Sequence, residues 1–283
     1  MGRHVLEVAG SRVTIVDGEV VEITEPRTVS CPLRSRVYGI ERETRESIRE
    51  SMEFYIGEWG MFTSNRVIRT EELPISFGIT EIFNSCMRRG LIDAVVMVCE
   101  GAGTVIANAP DVVQGIGAHM TGLIETSPEP GIIARLEENG VHVLNPDGAG
   151  MNQHLGATRA IEMGYRRIGV TVSGHDSRDA KRIRVELGEA CAIAAVHNTG
   201  VSERDAERIA SSCDIATSCA SRWVRDRVGP RALMQLGMHI PVFILTPLGK
   251  ELAMARLADF EGPLIVGTGR IPALKKEQPH PLR

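Results

Sequence analysis

Four stretches of this 283-residue chain place acid–base or nucleophilic residues directly behind short apolar runs. After 93–98 come Cys99, Glu100, Gly101, Gly103 and Thr104, and after 168–172 come Ser173, Gly174 and His175. After 192–196 come His197, Asn198 and Thr199, and after 215–217 come Ser218 and Cys219. A cysteine attacks or binds metal as its thiolate, and an imidazole moves protons near neutral pH. The set therefore reads as Cys99 or Cys219 acting as nucleophile or ligand, His175 and His197 as acid/base groups, and Glu100 as an orienting carboxylate. Around them Gly101, Gly103, Thr104, Ser173, Gly174, Asn198, Thr199 and Ser218 supply amides and hydroxyls suited to a small anionic ligand. Turn chemistry alone explains glycine, serine and asparagine at such places. It does not ask for two histidines and two cysteines at one edge.

Other motifs argue for less. Gly101-Ala-Gly103 starts like a phosphate loop, but 104–108 reads extended where a dinucleotide fingerprint needs a helix. Gly267-Thr-Gly269 runs into Ile271-Pro272, and Gly115-x-Gly117-x-His119 follows a helix rather than a strand. His175 and Asp176 are adjacent, so their side chains diverge and a Ser-His-Asp triad is not formed by them. Cys86 and Cys191 sit within apolar patterns as small hydrophobes, and Cys213 ends a helix. Six cysteines form no Cys-x-x-Cys pair and no disulfide framework. Cys31, Cys99 and Cys219 remain a conceivable three-cysteine ligand set for an iron–sulfur cluster.

The elements that must carry these residues follow from periodicity. The first 25 residues alternate as three strands with turns at Ala9-Gly10 and Asp17-Gly18, a β-meander. A proline-bounded linker over 26–32 and a charged helix over 41–56 complete a lead-in module, 1–72. From Ile79 the residues Ile82, Phe83, Cys86 and Met87 keep a helical stripe that stops at Gly90. Apolar runs at 93–98, 168–172, 192–196, 215–217, 242–245 and 264–266 then alternate with helical patterns near 153–163, 177–187, 202–211, 219–236 and 247–258. Ser202 and Thr246-Pro247 supply helix starts. This rhythm predicts an α/β core over 73–270 with a mostly parallel sheet flanked by helices, then a polar tail over 271–283. In such sheets ligands bind beyond the carboxyl ends of the strands.

Net charge −4 with 43% hydrophobic residues argues against a nucleic-acid binder, although 28 of the 32 basic residues are arginine. No signal-peptide pattern and no bilayer-length apolar run appear, so the expectation is a cytoplasmic protein with reduced thiols and no membrane partner. A homo-oligomer is plausible for a protein of this class.

Several ordered motifs also carry a resemblance. Cys31-Pro-Leu, the stretch Gly90-Leu-Ile-Asp-Ala-Val-Val-Met-Val-Cys-Glu-Gly-Ala-Gly-Thr104, Val113-Gln-Gly-Ile-Gly117, Gly164-Tyr-Arg-Arg-Ile-Gly169, Ala195-Val-His-Asn-Thr-Gly-Val201 and Thr217-Ser-Cys-Ala-Ser221 together resemble methanogenesis marker protein 8. The resemblance spans nearly the whole chain. It implies a protein of methane-metabolising archaea, linked to methyl-coenzyme M reductase or its assembly factors, and it supplies no reaction and no cofactor. Some relatives are expected to carry cysteine where this chain has Phe62, which weakens a four-cysteine cluster here. Residues 77–117 are also similar to a stretch of the beta subunit of deazaflavin-reducing hydrogenases, which would imply a flavin-type pocket. The sequence thus leaves three readings: an accessory protein binding a small anionic ligand or coenzyme, an iron–sulfur or flavin-type redox module, and a non-catalytic interaction protein docking through the meander and the charged helix at 42–49.

Overall fold

A computed structural model describes residues 2–119 and 122–283. The chain opens with β1 (Arg3–Val8), β2 (Ser11–Val16) and β3 (Glu19–Ile23), joined as the meander. Both turns carry two consecutive positive φ values, Ala9-Gly10 at 53° and 75° and Asp17-Gly18 at 52° and 79°. That geometry matches the right-handed twist of the flanking strands. Next come α1 (Pro32–Tyr38) and α2 (Arg45–Trp59), the latter started by a reciprocal cap between Thr44 and Ser47.

The core begins with α3 (Ile79–Arg88), β4 (Ala94–Cys99), β5 (Gly103–Ala107) and α4 (Pro110–Gly117). Then follow β6 (Gly122–Thr126), α5 (Pro130–Glu138), β7 (His142–Val143), α6 (Gln153–Glu162) and β8 (Ile168–Ser173). The chain continues through α7 (Ser177–Leu187), β9 (Cys191–Val196), α8 (Glu203–Ser212), β10 (Ile215–Thr217), β11 (Met234–Leu236), β12 (Val242–Ile244) and α9 (Pro247–Asp259).

The eight-stranded sheet runs β11-β12-β10-β9-β8-β4-β5-β7. Only the central β4, β8, β9 and β10 are mutually parallel. The outer pairs are antiparallel, so the sheet is mixed rather than mostly parallel. Helices cover both faces. Ile82 and Phe83 of α3, Val112 and Ile116 of α4, Ile132 of α5 and Leu252 of α9 pack on one face. Ala157 of α6, Ile183 of α7 and Ile209 of α8 pack on the other. Gly169 of β8 leaves room for the Phe83 ring, which would lie 3.1 Å from a Cβ there.

Two predicted elements are replaced. The helix expected over 219–236 is shortened and irregular, tightening into a 3-10 turn at Gly229–Arg231 where Pro230 has no amide to give. Ahead of that lies a short π-type turn at Val224–Val228, and β11 follows from Met234. The strand expected at 264–266 is absent, with Ile265 and Val266 exposed. The β11–β12 hairpin already occupies the sheet edge beside β10. The meander also gains a fourth strand: β6, from deep within the core sequence, pairs antiparallel with β1. No helix among the described residues is long and apolar enough to cross a membrane.

Candidate functional site

A cavity of about 2120 Å³ lies where the carboxyl ends of β8, β9 and β10 face the N-terminal sheet and the C-terminal tail. His175, His197 and Cys219 line it together with Ser173, Thr199 and Cys31. Five of the eight histidines face this one hollow: His119, His175, His197, His239 and His280. Cys31 and Cys219, also in its wall, are the two cysteines that are not fully buried.

The loops behind the strands are held in unusual conformations. His197 and Cys219 adopt positive φ, 51° and 42°, although neither is glycine. Non-glycine residues persist there when their surroundings over-determine them, and such strain gathers at functional sites. Here the constraint is visible. The Asn198 carboxamide donates to the Thr217 and Ala195 carbonyls at 2.5 and 3.2 Å, tying the ends of β9 and β10 together. Arg225 donates to the carbonyls of Ser218, Cys219 and Ser221 at 3.2, 2.8 and 2.8 Å, clamping the Cys219 turn. The tail adds a strap: Arg283 pairs through backbone hydrogen bonds with Ala220 and Arg222, and His280 pairs with Ser30.

Sequence reasoning placed further residues at this hollow that the fold puts elsewhere. Cys99, Glu100, Gly101, Gly103 and Thr104 do not line it. β4 continues into an antiparallel hairpin with β5 rather than a crossover helix, and Cys99, Glu100 and Thr104 are fully buried in the fold. Glu100 forms a 2.6 Å ion pair with Arg66, and burial beside that carboxylate drives the Cys99 thiol well above its ordinary pKa. Gly103 fits against the Ala149 carbonyl, 2.3 Å from where its Cβ would sit. Gly174, Asn198 and Ser218 lie behind the cavity wall as supports. With Cys99 sealed away, Cys31, Cys99 and Cys219 share no pocket. No grouping of three or more His, Cys, Asp or Glu side chains suited to a metal occurs among the described residues.

The structure also adds residues that the sequence did not single out. Glu7 of β1 lines the cavity, and burial raises its carboxyl pKa. No local pattern on β1 points to it, since Arg3, His4 and Glu7 all stand on that strand. His119 stacks 4.2 Å from Trp59 and, with Tyr55, forms an inner aromatic wall.

Burial controls the protonation of the rim. It pushes His197 down to about 4, so the imidazole is neutral at pH 7. It raises the Cys219 thiol, against hydrogen bonds from Thr217 and the Asn198 amide that favour the thiolate. His175 Nε2 donates to the Thr199 carbonyl at 2.9 Å. The helix starts at this edge are answered from within the chain: Asp176 and Asp179 stand at the start of α7 and Asp205 in the first turn of α8. Ser202 accepts from the Asp205 amide at 3.2 Å, while the Asp205 carboxylate takes the Ser177 hydroxyl at 2.7 Å. Chemically, the edge offers imidazoles, hydroxyls and the Cys219 thiol around a large hollow whose wall also holds Cys31 and charged side chains such as Asp176 and Arg222.

Residues 4–258 match the model of the DUF2099 family, described as an uncharacterized protein conserved in archaea. The chain belongs to DUF2099. An uncharacterized protein of Methanocaldococcus jannaschii is 39% identical over 285 residues, covering all of both chains. His175, His197 and Cys219 of this DUF2099 protein therefore lie within the family-matched region, whereas the tail that straps the cavity lies beyond it. A chain of the F420-reducing [NiFe] hydrogenase complex from Methanosarcina barkeri aligns with 13% identity and a TM-score of 0.34, covering 64% of this chain and 72% of that one. A likeness at that level carries no argument about this chain's function.

Proposed function

We propose that this protein binds a small molecule or coenzyme in the cavity at the carboxyl edge of the parallel strands. The reading takes its role to be that of an accessory protein in methanogen metabolism, supporting assembly or activation of methyl-coenzyme M reductase. One observation carries the binding half: His175, His197 and the Cys219 thiol, delivered by three successive strands, line one hollow of about 2120 Å³. That is above the range of roughly 300–1,000 Å³ common for small-ligand pockets, so a coenzyme-sized molecule fits. The metabolic half rests on the resemblance of the sequence motifs to methanogenesis marker protein 8. Replacing the chromosomal copy in a methanogen with the His197→Ala, Cys219→Ala double variant tests both halves together. The expected result is impaired methanogenic growth with the protein present at its normal level. Unimpaired growth with normal levels would remove the proposal.

A further inference from the structure

We propose that Glu7 belongs to the binding site and that, with His197, it makes the rim a seat for an uncharged hydrogen-bonding group such as a carboxamide, rather than for an anion. The inference deepens the cavity-binding reading and rests on it.

Glu7 reaches the cavity from the N-terminal sheet, and His197 reaches it from the end of β9. They flank Gly122 of β6: a Cβ there would sit 3.4 Å from Glu7 Oε2 and 3.5 Å from the His197 Cβ. Pairing of β6 with β1 sets Glu7 opposite Gly122 and so beside the turn that carries His197, at one notch. Glu7 Oε1 accepts from the Gly10 amide at 2.5 Å. Among the described residues no donor meets Oε2, and no group meets the His197 ring. The notch thus offers one carboxyl oxygen and an imidazole with a donor and an acceptor, all unspent.

Three arginines around this part of the cavity are already engaged by other groups. Arg34 is paired with Glu43 and also donates to Ser51. Arg225 gives its donors to three carbonyls and to Gln278. Arg222 is paired with Asp226. The nearby helix starts already hold Asp176, Asp179 and Asp205, so their positive ends attract no further anion. A neutral group with both a donor and an acceptor satisfies Glu7 and His197 without burying charge.

The test uses two alkylating probes with the same leaving group, iodoacetamide and iodoacetate, on the full-length Cys31→Ser protein at pH 8. Each forms a bond between its methylene carbon and Cys219 Sγ, expels iodide, and leaves the thiol proton with the buffer. Peptide mass mapping gives the rate at Cys219, normalised to free cysteine. The expected result is at least a tenfold preference for iodoacetamide beyond that of free cysteine, reduced several-fold by Glu7→Gln. In the His197→Phe variant the iodoacetamide rate falls several-fold. A normalised ratio near one, read on the parent protein alone and so independent of how the variants fold, overturns the proposal while leaving the cavity reading intact. So does an unchanged ratio in a folded Glu7→Gln protein. Failure of both reagents to reach Cys219 overturns the cavity reading as well.

Discussion

Arg66 Nε and Glu100 Oε1 meet at 2.6 Å, with neither side chain exposed to solvent. Arg66 spends its other donors on the carbonyls of Val67 and Ile116. The pair thus bolts the segment after α2 to the end of β4 and to α4. Removing one partner strands a buried charge, which typically costs about 3–5 kcal/mol. Glu100→Ala is expected to lose that much in urea unfolding, and Arg66→Met combined with Glu100→Leu much less. A Glu100→Ala protein with an unshifted midpoint would contradict the structural role assigned to Glu100.

Gly174 and Asn198 make a second tight fit, since a Cβ at 174 would lie 2.0 Å from Asn198 Oδ1. Gly174→Ala must displace the carboxamide that ties β9 to β10. Asn198→Ala removes its donors from two carbonyls and should cost about 1–3 kcal/mol. Both variants are expected to loosen the His197 and Cys219 turns, seen as faster amide hydrogen exchange over 195–201 and 217–221. Unchanged exchange there would sever the supports from the site.

Thiol labelling separates the cysteines. Cys31 and Cys219 are partly exposed, whereas Cys86, Cys99, Cys191 and Cys213 are buried. N-ethylmaleimide on the native protein should modify the first two and reach the other four only after denaturation. Native modification of Cys99 would restore it as a candidate for the cavity.

The His197 ring makes stability depend on pH with a definite sign. Its folded pKa of about 4 lies below the ordinary value of 6.5, so the unfolded chain binds more protons between those values. Stability from this group is complete above pH 6.5 and is lost as pH falls toward 4. The full term amounts to at most about 3 kcal/mol. His197→Asn should flatten the wild-type decline in stability between pH 6.5 and 4. An identical pH profile in the two proteins would contradict a buried neutral imidazole.

Much of the core was legible because local pattern and tertiary role agreed. The stripe Ile79, Ile82, Phe83 and Cys86 became α3, and the runs before His175, His197 and Cys219 became parallel neighbours. Cys99 escaped the same logic because β4 turns back as a hairpin, and a strand end reads alike whether a helix or a hairpin follows. Arg66 pairing with Glu100 and β6 pairing with β1 link residues far apart in sequence, and no local periodicity encodes such meetings. Glu7 was invisible for that reason: on its own strand it is one polar residue, and only the opposing sheet edge gives it a site. The 264–266 run satisfied strand propensity, yet the sheet edge had already gone to β11 and β12.

Native mass spectrometry of the full-length protein, purified anaerobically from a methanogen, tests the binding claim most directly. The account predicts a small molecule retained by the wild-type protein and lost from the His197→Ala, Cys219→Ala variant at unchanged fold. A wild-type protein that carries nothing, and to which metabolite extracts of the same cells add nothing, would contradict it.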